Sequence, residues 1–519
     1  MEKRVVVAAA LSAVLMLWYA QLMSNYQRVY QRAHPSPVAS VPAGQPSTEV
    51  IIKPIADEQV TFIKSSTLVL EIGQRSGSIR RAILRQFNDL KTGQPLQFGR
   101  GSFPVLAIGD GRSDLNWQLA STDERTVNLD SESPTSRLHL KISANDNIPL
   151  VELVIRTIPH DAIHAQYSEA LTLESSWHKG DELGDRYNPL EVVLLTEKTK
   201  PWEQTYVHSL GFRKNEKIVP RGTRILTLSD RYFCQSLKPV NIIGKAVILP
   251  SLEGQIRTSM VVSPPKGSGE SELVLQLYLG PRDYFQLRNA GMSEAFPIGA
   301  IGRIGIMLLT ILSWIASMTK NYGIAIIIFS ISITCMLAPF TLMGMKSMKK
   351  MQELKPQIDR LMAKHKGDPQ KANLELMALY KENKVSPLGG CLPMMLQLPV
   401  LMAMFRAISH FIDLRGKPFL WIKDLSLPDR VTQLPVALPL VGHDLNLLPI
   451  LMTITMLVQM KLSQQKMATV DTNPATKMFS GPMMSILFGV MFYQFPSGLV
   501  LYWLTNSLMT ILWYRVASA

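Results

Sequence analysis

The chain has 519 residues, 47% of them hydrophobic and 18% charged, with 27 Met and only 3 Cys. That length excludes a single small module, and a positive mean hydropathy with fewer charges than the roughly 25% of soluble domains excludes disorder throughout and points part of the chain at lipid. The formal charge of +14, from 54 basic and 40 acidic residues, fits nucleic acid or a membrane surface. The basic residues crowd around apolar segments, which favours the membrane over specific nucleic-acid binding. Three cysteines build no disulfide framework, and no Cys/His cluster suggests a metal.

In chain order, Lys3 and Arg4 precede the uncharged run Val5 to Met23, whose ~1.5 Å rise per residue nearly matches a ~30 Å hydrocarbon core. It lacks an A-x-A-like cleavage site, so residues 1–23 are expected to be an uncleaved transmembrane anchor. Residues 24–58, with Pro35, Pro37, Pro42 and Pro46, read as a Pro-rich tether. Short alternating segments such as Leu68-Val69-Leu70-Glu71-Ile72, separated by turn signals, then predict an antiparallel all-β domain over 59–290.

The last third changes again. Residues 297–319 read as an interfacial helix, and 321–345 as an uncharged span. A basic, Met-rich stretch, 346–384, reads as a cytoplasmic helical hairpin, and further spans follow at 387–411, 445–461, 478–495 and 498–515. Pro496-Ser497-Gly498 divides the last two. Gly344 to Ser386 holds ten basic residues against five acidic, Lys461 to Lys477 three against one, and Phe411 to Asn446 four against four. The positive-inside rule thus places the first two segments in the cytoplasm and the third outside, with both termini cytoplasmic.

No HExxH, G-x-S-x-G or phosphate-binding loop survives inspection, so no catalytic residue and no cofactor are assigned. In the hairpin, Met348, Met351, Leu354, Ile358, Leu361 and Met362 recur at helical spacing, and Leu374, Leu376, Met377, Leu379 and Tyr380 mark a second helix. A Met-rich face suits varied apolar partners, which makes Met348, Met351, Lys355, Met362 and Met377 candidates for contact with such a partner. The other reading is an amphipathic pair resting on lipid head groups.

Four ordered motifs carry a family resemblance. Lys384-Val385-Ser386-Pro387-Leu388-Gly389-Gly390-Cys391-Leu392-Pro393, Gln397-Leu398-Pro399, Pro418-Phe419-Leu420-Trp421-Ile422-Lys423-Asp424-Leu425-Ser426 and Phe495-Pro496-Ser497-Gly498-Leu499-Val500-Leu501-Tyr502-Trp503 resemble the YidC/Oxa family of membrane-protein insertases. Leu277-Tyr278-Leu279-Gly280-Pro281-Arg282-Asp283-Tyr284 looks like the end of the periplasmic domain of Gram-negative members. The resemblance implies a multi-domain protein of the bacterial inner membrane. It would have an N-terminal anchor plus a five-helix α-helical insertase bundle, and an all-β supersandwich in the periplasm. It also implies a non-enzymatic function: inserting and helping to fold nascent membrane proteins through a polar groove open to cytoplasm and lipid. The Sec translocon, the ribosome and the signal recognition particle pathway are the candidate partners. A solute transporter or channel is the competing class, although no internal repeat supports it. An anchored sugar-modifying enzyme would need converging carboxylates in the sandwich.

The implied groove includes Ser330, Thr334, Gln397, Tyr502 and Trp503. One departure stands out: aligned on Gly323 and Pro339, the family's groove arginine falls on Thr334, and no Arg or Lys lies between Asn321 and Met345. Arg406, in the next span, is the candidate for a relocated charge. It lies seven residues before Asp413, so a structural anchor at the interface is the alternative.

Overall fold

The structure, a computed structural model, describes residues 58–516 apart from 91, 100–102, 110–114, 162–169, 179–190, 197–204, 208–216, 219–221, 241, 253–254, 264–268, 297–299, 366–367, 384–391, 439–441 and 465–481. The expected anchor and nearly all of the expected tether lie outside the described residues. The chain divides into two compact units, one of residues 46–303 and one that includes 304–519.

The first unit follows from period-two patterning. Leu68, Leu70 and Ile72 are fully buried, with the half-buried Val69 and Glu71 between them. Leu68 and Leu70 lie opposite Leu84 and Ala82 of Ile79–Asn88. One sheet runs Val60–Lys64, Leu68–Gly73, Ile79–Asn88, Leu106–Gly109, Leu171–His178, Gln255–Val262, Lys245–Leu252, Lys217–Ile218, with Pro95–Phe98 beside the third strand. The other runs Thr205–Val207, Glu191–Thr196, Thr223–Ser229, Phe233–Pro239, Ser271–Pro281, Leu150–Pro159, Ser136–Ala144, Thr126–Glu132, Trp117–Thr122. All described pairings are antiparallel.

The chain leaves this unit through a tied-down corner. The Arg282 guanidinium is buried, bonded to Glu191 at 2.6 Å and to the Asp230 carbonyl at 3.1 Å. Asp283 caps α1 (Tyr284–Asn289) by accepting from the Phe285 and Gln286 amides. Leu287, Ala290, Met292 and Ala295 then pack on Leu195, Ile225, Cys234 and Tyr278. Burial pushes the Cys234 thiol up to about 12, which leaves it inert.

The second unit is helical: α2 (Ala300–Thr319), α3 (Tyr322–Glu353), α4 (Lys355–Lys364), α5 (Pro369–Glu382), α6 (Leu392–Ser409), α7 (Leu447–Gln464), α8 (Pro482–Phe492) and α9 (Ser497–Val516). Its core joins side chains from six of them, among them Leu312, Phe329, Met404, Met452, Phe492 and Tyr502. Among the described residues one helical segment, Tyr322–Gly344, is long and apolar enough to cross a membrane on those criteria alone.

The helices depart from the sequence reading in two places. α3 does not stop where charge returns at Lys346 but continues as helix to Glu353, because Lys, Met and Gln are good helix formers whether or not lipid surrounds them. Between α6 and α7, where the sequence reading predicted no strand, lies a two-stranded sheet, Thr432–Leu438 with Gly442–Leu445. Pro435 lies within the first of these two strands, and with only two strands in the sheet each is an edge, where proline is tolerated.

Candidate functional site

A row of polar side chains lies inside the helical unit between α3, α6 and α9. On α3, Ser330 and Thr334 are four residues apart and so share a face; both are buried. Each hydroxyl reaches the carbonyl one turn back, Ser330 to Ile326 at 2.6 Å and Thr334 to Ser330 at 2.7 Å. This is how an otherwise apolar helix accommodates hydroxyls without stranding them. Thr334 Oγ1 also lies 2.9 Å from the Asn506 side-chain oxygen on α9. One turn earlier on α9, the fully buried Tyr502 hydroxyl accepts from Gln397 Nε2 of α6 at 2.7 Å. The row thus links three helices through two side-chain hydrogen bonds, and its described members carry no formal charge.

Of the groove residues expected from sequence, Thr334 joins α9 and Gln397 joins Tyr502, while among the described residues Ser330 bonds within its own helix. Trp503 turns elsewhere: its ring stacks near Phe488 and Phe492, at centroid distances of 6.1 and 5.5 Å. The Arg406 side chain lies outside the described part of the structure. Asn506 was missed, although its position four residues after Tyr502 put it on the same helical face.

Two of the sequence motifs, Pro418–Ser426 and Phe495–Trp503, are fastened to each other at one end of this row. Ser497 Oγ lies 3.0 Å from the Asp424 carbonyl and 2.7 Å from that of Leu427, and the Gly498 amide donates to Leu425. A Cβ at Gly498 would sit 3.1 Å from that same carbonyl, and one at Gly323 would run into the Phe419 ring. Asp429 accepts from Trp421 Nε1 and the Leu448 amide, and Asn446 bonds Tyr493 twice. The Pro418–Ser426 motif is therefore a plug that positions the starts of α3, α7 and α9.

In the hairpin α4–α5, Leu354, Ile358 and Leu376 are buried together, with Leu361, Met362, Leu379 and Tyr380 around them. Much of the expected apolar face is thus occupied by the hairpin's own seam. Met377 and Leu374 remain exposed, whereas the side chains of Met348, Met351 and Lys355 lie outside the described part. His365 Nε2 lies 3.0 Å from Glu375 across the turn, and Asp368 accepts from the Lys371 amide.

Residues 314–517, which contain the whole row, match the model of the 60Kd inner membrane protein family. The membrane protein insertase YidC of Endomicrobium trichonymphae is 36% identical over 55% of this chain and 54% of its own length. That of Geotalea uraniireducens is 28% identical over 98% of both chains. The chain is similar to the YidC membrane protein insertases over its helical unit and, at lower identity, over nearly its whole length. The match spans about half the length of the first YidC relative and nearly all of the second. A crystal structure of an active YidC insertase with its first transmembrane domain resolved shares 18% identity, covering 89% of this chain and 93% of that one with a TM-score of 0.38.

Proposed function

We propose that this chain inserts nascent membrane proteins into the inner membrane by sheltering their polar segments along the row between α3, α6 and α9. The observation that carries the reading is that Thr334, Asn506, Gln397 and Tyr502 converge from three helices inside a largely apolar bundle. An unpaired backbone group costs several kcal/mol in hydrocarbon, and hydrogen-bonding groups at that depth offset the cost. The 11-residue α8 spans only ~16 Å at the helical rise, about half of a ~30 Å hydrocarbon core. Such a helix favours local thinning of the bilayer, which shortens the passenger's path.

In this reading the sandwich is periplasmic, α4–α5 is cytoplasmic, both termini are cytoplasmic, and α3, α6, α7, α8 and α9 are the five spans beyond the anchor. The ribosome and the signal recognition particle pathway would deliver passengers at the hairpin, and the Sec translocon would share some of them. The purified full chain in sealed liposomes should insert a short single-span passenger, read as protease protection of its translocated tail. No protection above empty liposomes would overturn the reading, and solute flux without protection would favour a transporter.

A further inference from the structure

The Asn506 amide is placed to work in two directions. Thr334 Oγ1 lies 2.7 Å from the Ser330 carbonyl and 2.9 Å from the Asn506 amide, but a hydroxyl has one proton. When the proton goes to Asn506, the amide holds Thr334 with its oxygen and leaves its NH2 for a third group. When it goes to Ser330, the amide turns over, donates to Thr334 Oγ1 and leaves its oxygen. Asn506 is half-buried, not sealed in, and only its oxygen has a partner among the described residues. Gln397 is also half-buried. Its nitrogen is committed to Tyr502 at 2.7 Å, which leaves its oxygen to accept.

Thr334 lies 12 residues into α3, Gln397 12 residues before the end of α6, and Asn506 nine residues into α9. At ~1.5 Å per residue these positions are ~14 to 18 Å from the helix ends beside the Pro418–Ser426 plug, near the middle of the bundle. That is where an unpaired peptide group is costliest.

Resting on the insertase reading, we propose that Asn506, swivelling on Thr334, and Gln397, held by Tyr502, are the specificity-determining arms of the groove. They hydrogen-bond the unpaired peptide N–H and C=O groups of a non-helical passenger segment and, being uncharged, do not select acidic segments. A fixed cation attracts acidic side chains and repels basic ones, whereas an amide that can donate or accept serves any backbone. The ligand class is therefore extended polypeptide irrespective of charge.

The test uses the full chain in liposomes with three single-span passengers whose translocated tails are acidic, neutral-polar or short and apolar. The intact protein should insert the acidic and neutral-polar tails at similar rates. Asn506→Leu should slow both equally, by about tenfold for a lost hydrogen bond of typical strength, and spare the apolar tail. Asn506→Asp keeps the volume and the acceptor but fixes a negative charge, so it should slow the acidic tail most. Thr334→Arg should create a preference for acidic tails. A strong acidic preference in the unaltered protein, normal rates in Asn506→Leu, or equal loss on all three tails would each overturn the inference. The first two of these leave the insertase reading intact. Failure of the unaltered protein on every passenger would instead remove that reading.

Discussion

At the residue scale, burial and charge compete most visibly at Glu174 and Arg257 in the first sheet. Arg257 is 8% exposed, with its guanidinium 5.0 Å over the Phe103 ring. Desolvation pushes Glu174 up from its ordinary 4.5 to about 7, although the nearby Arg257 charge acts in the opposite direction. The folded state thus holds this proton more tightly than the unfolded chain does. Its contribution is complete below the unfolded value of 4.5 and is lost as pH rises through about 7. Glu174→Gln should therefore flatten the fall in sandwich stability across that window and raise the melting temperature at about pH 8. Thermal melts of the full chain in detergent, followed by the β-sheet dichroism, test this. A melting temperature that falls equally with pH in both proteins would count against desolvation at this carboxyl.

At the scale of elements, close approaches set which substitutions the helical unit tolerates. Gly323 begins α3 against Phe419, and Gly489 of α8 approaches Thr453 of α7 so closely that an added Cβ would overlap it. Gly323→Ala and Gly489→Ala should each destabilise the bundle by about 1–3 kcal/mol, the usual cost of overpacking, read as a lower detergent-unfolding midpoint. The hairpin should respond differently. Leu376 is 3% exposed in a small separate seam, so Leu376→Ala, with a typical cost of about 2–5 kcal/mol, exceeds what so few contacts supply. Limited proteolysis should then cut near Lys364 and Lys371 while the rest of the helical unit stays intact. Cleavage no faster than in the unaltered protein would mean that the seam does not hold α4 to α5. These elements were legible to unequal degrees. The hairpin helices announced themselves by period, with Asp368 and Pro369 marking the start of the second. The two glycine approaches were not legible, because a glycine within an apolar run does not say which neighbour it admits. Asn506 was hidden for a related reason: its helical face was readable, but the register that sets it against Thr334 is a property of two helices together.

For the whole molecule, division into two compact units sharpens the question of what the sandwich contributes. Its apolar alternation made the domain readable, yet where it should be cut was not. The chain between Leu273 and Ala295 remains part of that unit: Leu273, Leu275 and Leu277 are buried. They lie opposite Ile155, Leu153 and Val151, and Leu287, Met292 and Ala295 cover Tyr278 and Cys234. A deletion ending near Gly267 would strip the partners from those residues and leave an exposed apolar strand, a liability for aggregation. The informative deletion runs from Gln59 to Phe296, removing the sandwich with its terminal helix and joining the tether to the segment before α2. Every residue of the polar row lies beyond that cut, and all of its described hydrogen bonds are made within the helical unit. The truncated chain should therefore insert the simple single-span passenger at nearly the rate of the full chain when membrane levels are matched. Complete loss at matched levels would give the sandwich a direct part in insertion. A loss confined to the deletion ending near Gly267 would trace to the stranded segment and not to the missing domain.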